Sequence, residues 1–145
     1  MNNVLYFDNA ATTRVRPEVV DVMTKYFSEN YGNPSSIYKI AQTNKAAVEK
    51  GREQIAKAIN AEKNEIYFTA GGSESDNWAI KGIEKSYAEK GRHIITLSIE
   101  HHAVLHTCEY LESKGYEVTY LPVSEFGIVE IDELKKAVRD DTILI

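Results

Sequence analysis

The ten residues Phe68-Thr69-Ala70-Gly71-Gly72-Ser73-Glu74-Ser75-Asp76-Asn77 set a glycine pair and small hydroxyl residues at the opening of a helical pattern. That combination can cradle a phosphate. Ile66, Tyr67, Phe68 and Thr69 suit a strand over residues 64–70, while Ala79, Ile80, Ile83 and Tyr87 recur at helical spacing over residues 73–90. A glycine turn between the two presents backbone N–H groups at the positive end of a helix dipole, where an anion can come close. An ordinary capped turn competes with this reading, since Ser73 and Asp76 also have the spacing of a capping box. Glu74 and Asp76 would repel a phosphate unless their side chains point outward. The stretch is neither a Walker A loop nor a G-x-G-x-x-G dinucleotide fingerprint.

Histidines supply the second set of reactive groups. His101 falls in the loop after a strand predicted over residues 93–98, on the same sheet edge as the glycine turn. An imidazole there could stack on an aromatic cofactor or exchange protons near neutral pH; a solvated or backbone-bonded loop histidine is the plainer alternative. His102, His106 and Glu109 share one helical face at ligand-like spacing, yet no H-E-x-x-H and no cysteine pair accompanies them. Surface placement is favoured, and no metal is expected. Cys108 shares a helix side with Val104 and Leu111, which points to core packing.

The elements that must position these groups alternate along the chain. Residues 4–7 read as a short strand, followed by the polar run Asp8-Asn9-Ala10-Ala11-Thr12-Thr13. Pro17 suits the first turn of a helix reaching about residue 31, with Val20, Met23 and Phe27 on one face and Gly32-Asn33-Pro34 as its stop. Ser35 or Ser36 can cap a second helix reaching about residue 60, with Ile40, Ala47, Val48, Ile55 and Ile59 as its buried stripe. Beyond the glycine turn and strand 93–98 come a helix over 103–114 stopped by Gly115, a strand over 117–123, an extended piece at 126–129, a helix from Asp132 to about residue 139, and a strand opening at 142–145. This alternation predicts a layered α/β/α fold with a mostly parallel sheet and ligands at the carboxyl ends of its strands.

Composition narrows the function. With 145 residues, of which 43% are hydrophobic, the chain can bury a sizeable core. Its 17 basic and 22 acidic residues give a net charge of -5, which argues against a nucleic-acid partner. No apolar run approaches the roughly 20 residues needed to span a bilayer, so no membrane partner is expected. Cys108 is the only cysteine, in keeping with a reducing, cytoplasmic location.

Four motifs taken together resemble a known family. Phe7-Asp8-Asn9-Ala10-Ala11-Thr12-Thr13, Gly32-Asn33-Pro34-Ser35-Ser36, the 68–77 stretch, and Glu100-His101-His102-Ala103-Val104-Leu105 are similar, in order and separation, to those of cysteine desulfurases. These are fold-type I pyridoxal 5'-phosphate enzymes of the class V aminotransferase group, and the nitrogen-fixation and iron-sulfur-cluster branch (NifS/IscS-like) is the nearest match. The resemblance implies that Gly72 and Ser73 hold the phosphate of pyridoxal phosphate, that His101 stacks on its ring and assists proton transfer, and that Asn9, Ala10, Ala11 and Thr12 border the substrate pocket. It implies L-cysteine as substrate, L-alanine and a persulfide sulfur as products, a sulfur-acceptor protein, iron-sulfur cluster or thio-cofactor synthesis as destination, and a homodimer. Residues 1–15 would then belong partly to the small domain, and 16–145 to the first portion of the large cofactor-binding domain.

Tyr38 and Ala41 stand where the family commonly has histidine and glycine. No lysine here matches the family's Schiff-base position, and Cys108 does not match its mobile catalytic cysteine. The resemblance therefore implies an amino-terminal fragment of a desulfurase, inactive alone. A selenocysteine lyase or another class V aminotransferase is the alternative enzyme, and a non-catalytic phosphate- or metal-binding module the alternative from another class.

Overall fold

A computed structural model describes residues 5–145, and the chain divides into two compact units, one ending at Tyr67 and one spanning Phe68–Ile145. In the first, Pro17 opens helix α1 (Pro17–Ser28) at a position where its missing N–H costs nothing. Helix α2 spans Lys39–Ala58. Between them the chain reverses against α2, where the Asn44 side-chain amide donates to the carbonyls of Asn30 and Gly32, each at 2.6 Å. This clamp explains why α1 stops short of residue 31. A Cβ on Gly32 would stand 3.0 Å from the backbone of Ile40 and Ala41, so any larger residue there requires the neighbouring backbone to give by a few tenths of an ångström.

Several expectations for this unit are corrected. Neither Ser35 nor Ser36 caps α2, because both are drawn into a turn on Asn33: Asn33 Oδ1 accepts from Ser35 N–H at 2.9 Å, and its carbonyl from Ser36 N–H at 3.0 Å. Tyr38 takes the cap position without a side-chain bond. The buried residues of α2 are Ala41, Asn44 and Ala56, while Val48, Ile55 and Ile59 are exposed. At Ala41 and Asn44 the inward face meets the backbone of the 30–32 reversal. α1 buries no residue, although Val20, Met23 and Phe27 share a face as expected. Residues 5–7 form no strand, and Val4 lies outside the described residues. The strand expected over 64–70 is a 3-10 turn, Lys63–Glu65, followed by backbone extended at Ile66. The Ile66 carbonyl takes a bond from Arg52 in place of a strand neighbour.

The second unit carries the parallel sheet. Helix α3 (Gly72–Tyr87), strand β1 (His93–Leu97), helix α4 (His102–Glu112), strand β2 (Glu117–Leu121), helix α5 (Ile131–Ala137) and strand β3 (Thr142–Leu144) follow one another. The sheet order is β2-β1-β3, and both pairings are parallel. Helices between parallel strands are the crossover that parallel pairing requires, so the α/β expectation is borne out. Ile80 of α3, Ile94 of β1, Cys108 and Leu111 of α4, and Tyr116 form the core. Val104, Val118, Tyr120, Ile143 and Leu144 pack against it.

Two features fix the sheet. His93 is fully buried, its Nδ1 and Nε2 each 2.8 Å from a threonine hydroxyl, Thr142 on β3 and Thr119 on β2. A neutral imidazole suits this place, giving a proton to one hydroxyl and taking one from the other. Gly91, just before β1, lies so close to Asp141 that a Cβ would fall 2.1 Å from its carbonyl oxygen. Gly115 ends the α4 segment with φ of 87°, in the left-handed region expected of a helix stop. At 126–129 there is a turn instead of the expected extended piece: Gly127 has φ of 74°, and the Ser124 hydroxyl accepts from the N–H groups of Phe126 and Ile128. Among the described residues no helix is long and apolar enough to cross a membrane.

Candidate functional site

The glycine turn is where the sequence places it, but the helix starts earlier than the capping-box reading requires. Gly71 is the N-cap and makes no side-chain bond; the first intrahelical bond of α3 runs from Ser75 N–H to the Gly71 carbonyl at 3.2 Å. Ser73 and Asp76 therefore do not form a capping box. The N–H groups of Gly72, Ser73 and Glu74 have no carbonyl within the helix to meet, and they lie at its positive end. Glu74 turns back to accept from Ala70 N–H at 2.6 Å. Its charge is thus engaged on the near side of the turn. Thr69 and Ser75 brace the turn, their hydroxyls 2.7 Å apart and both bonded to the Gly71 carbonyl.

His101 is the N-cap of α4, with Nδ1 accepting from Ala103 N–H at 3.1 Å. Because Nδ1 accepts, the proton of a neutral ring sits on Nε2. That bond is the backbone-bonded alternative expected from sequence, and it orients the ring, whose centroid lies 6.1 Å from that of His102, while leaving Nε2 without a hydrogen bond among the described residues. Ser73 and His101 line a single cleft of about 450 Å³. Two expected site residues, distant in sequence, are thereby brought together.

The same cleft contains Asn77 and Lys81, which sequence reading did not assign to the site. Asn77 Nδ2 donates to the Ser73 carbonyl at 2.9 Å and its Oδ1 accepts from Lys81 Nζ at 2.7 Å; that ammonium also lies 5.1 Å from the Tyr110 ring centroid. The signal was the four-residue spacing of positions 73, 77 and 81, one face of a helix. His102 and His106 lie along it too, rings stacked 5.0 Å apart. Glu109 does not complete a metal cluster with them: among the described residues no three histidine, cysteine or acidic side chains converge.

Asn9, Ala10, Ala11 and Thr12 belong to the first unit, where the N–H groups of Ala11 and Thr12 bond to the Asp8 carbonyl and Thr12 Oγ1 lies 2.8 Å from Tyr6 Oη. Cys108 is core, as expected; burial first, then Glu112 and other carboxylates, push its thiol up to about 11. A separate cavity of about 390 Å³ lies among Ile80, Ile95, Leu97, Leu121 and Leu134. Its lining is mostly apolar, joined by Asp76 and Glu100, and it has no cation to meet a phosphate.

An anion test of the turn is met on this structure. Cβ atoms at Gly71 and Gly72 would meet nothing within 4 Å, so the space above the turn is open, and the donors are N–H groups and a hydroxyl. That donor set fits a phosphate monoester.

A family description, aminotransferase class-V, matches residues 5–145. The chain is 62% identical over 144 residues to a cysteine desulfurase IscS of Methanosarcina thermophila, covering 99% of this chain and 36% of that protein. To the cysteine desulfurase IscS of Clostridium botulinum strain Hall it is 55% identical over 145 residues, again covering 36% of the relative. Among solved structures, a NifS-like protein superposes with a TM-score of 0.90 at 43% identity, over 95% of this chain and 38% of that one. SspA in complex with cysteine superposes with a TM-score of 0.87 at 42% identity, over 94% and 40%. The chain therefore spans a little over a third of the length of the proteins it matches.

Proposed function

We infer, because the chain belongs to the class-V aminotransferase family, that it is the cofactor-cradling portion of a pyridoxal-phosphate-dependent cysteine desulfurase. The observation that carries this reading is the meeting of Ser73 and His101 in one cleft, at the positive end of a helix whose first N–H groups lack intrahelical partners. Gly72 and Ser73 would hold the phosphate through backbone N–H groups and the Ser73 hydroxyl. His101, oriented by Ala103 N–H, would lie against the pyridine ring and hold a proton at Nε2. The bound cofactor supplies an electron sink for bonds broken at the substrate's α-carbon.

The whole protein would convert L-cysteine to L-alanine and pass persulfide sulfur to an acceptor protein for iron-sulfur cluster or thio-cofactor synthesis, as a cytoplasmic homodimer. Residues 1–15 would lie partly in the small domain, with Asn9, Ala10, Ala11 and Thr12 bordering the substrate, and 16–145 would open the large domain.

Titration of the chain with pyridoxal phosphate, followed by the phosphorus NMR line, tests the cradle. The line should shift on binding, and Ser73→Ala should weaken the effect about tenfold with helical circular dichroism unchanged, since the cap is Gly71. Ring-proton shifts of the cofactor should respond to His101→Ala. L-cysteine turnover to alanine at the relatives' full length tests the activity. Absence of binding, or binding indifferent to both substitutions, would overturn the reading.

A further inference from the structure

We propose that His102 and His106 form a two-histidine site for a borderline divalent transition-metal ion, Zn²⁺ or Ni²⁺, on the exposed face of α4 at the cleft lined by Ser73. The residues are one helical turn apart, the spacing at which two imidazoles on one face ligate zinc in helical sites. Their ring centroids stand 5.0 Å apart. Zinc–nitrogen bonds of about 2.0–2.1 Å place a ring centroid roughly 3.2 Å from the ion, so two imidazoles in tetrahedral arrangement stand about 5 Å apart. The pair is already at ligating separation, and rotation of two exposed rings is all that convergence of their nitrogens requires.

Hydrogen bonding separates this pair from the other two histidines. His93 engages both nitrogens with threonines, and His101 Nδ1 takes the Ala103 N–H. His102 and His106 touch each other's rings, and neither nitrogen pair enters a hydrogen bond among the described residues. Imidazole ligands select the zinc, nickel and copper class over magnesium or calcium. With no third histidine, cysteine or acidic side chain converging among the described residues, the remaining coordination positions are open to water or to an anion in the cleft. A bound cation there adds positive charge beside the Ser73 turn.

Isothermal titration of the chain with ZnCl₂, NiCl₂ and MgCl₂ in a non-coordinating buffer tests this, with His102→Gln, His106→Gln and His101→Gln as variants. One ion per chain is expected for zinc and nickel and none for magnesium. Either of the first two substitutions should weaken uptake roughly tenfold or more, and His101→Gln should not. Imidazole proton resonances of residues 102 and 106 should move together. No uptake below millimolar metal, or uptake that survives both single substitutions, would overturn the proposal. The result is independent of pyridoxal phosphate binding, so failure of one reading leaves the other standing.

Discussion

Replacing Gly91 with alanine tests how tightly the sheet is closed. The new Cβ would lie 2.1 Å from the Asp141 carbonyl oxygen, 2.6 Å from its carbon and 2.8 Å from its Cα, all backbone atoms. Relief requires a shift of roughly 1.3 Å to regain an ordinary contact, which side-chain rotation cannot supply. Asp141 cannot move alone. Its carbonyl accepts from His93 N–H at 3.1 Å, its carboxylate holds Arg139 at 2.7 Å, and the next residue, Thr142, bonds to His93 Nδ1. Overpacking costs about 1–3 kcal/mol and each lost hydrogen bond about 0.5–1.5, so a loss of roughly 3–4 kcal/mol is expected. At this chain length that lowers the melting temperature by roughly 10 °C. Gly51 is the comparison: it lies inside α2 with nothing within 4 Å of an added Cβ, so Gly51→Ala should stabilise by about 0.5–1 kcal/mol. Thermal and urea unfolding of both variants measures the contrast. A Gly91→Ala protein within about 0.5 kcal/mol of the parent would refute the reasoning.

Three further outcomes are expected. Burial, then the charge of Arg139, lowers the His93 pKa below its ordinary value of 6.5. The unfolded chain then binds the proton more readily, so this contribution to stability is present above about pH 6.5 and lost as pH falls below it; urea midpoints of the parent and His93→Gln at pH 8 and pH 5 would show it, and an unchanged difference would contradict it. Cys108, buried with its thiol pushed up to about 11, should resist a thiol reagent at pH 8 until the protein is unfolded. Labelling within minutes in the native state would show that the α4 core is open. Asn44→Ala should cost about 2–3 kcal/mol, because two carbonyls of the 30–32 reversal lose their donor; a denaturation midpoint within error of the parent would rule out that role.

What could be read from the sequence was the part fixed by periodicity. β1, β2 and β3 carry β-branched residues between helical patterns, and each forms in the parallel sheet that this alternation predicts. Ser73 and His101 were legible because each follows a recognisable punctuation in the chain, and the structure sets them on one cleft. Misreadings occurred where a backbone group found a partner that spacing does not encode. Ser35 and Ser36 have cap chemistry, but the turn that Asn33 makes with their N–H groups keeps them out of the helix, which starts only at Lys39 with Tyr38 at its cap. Ile66 has strand propensity, yet its carbonyl goes to Arg52. In α2 the inward face is set by small residues at 41 and 44 that admit a neighbouring backbone, a demand that a hydrophobic stripe cannot reveal.

The buried imidazole of His93 also decides which strand pairings are possible. Its side chain reaches both neighbours, Thr119 on one side and Thr142 on the other. A slip of β2 by one residue would turn Val118 or Tyr120 toward the ring, and a slip by two would offer Glu117 or Leu121, a carboxylate that has to be desolvated or a methyl group without a hydrogen bond. Val118 or Leu121 would leave a ring nitrogen unmet in a place that water does not reach, and Glu117 would bring a charge into it. The ring therefore works as a key cut for one alignment of three strands, penalising misaligned sheets rather than merely strengthening the aligned one.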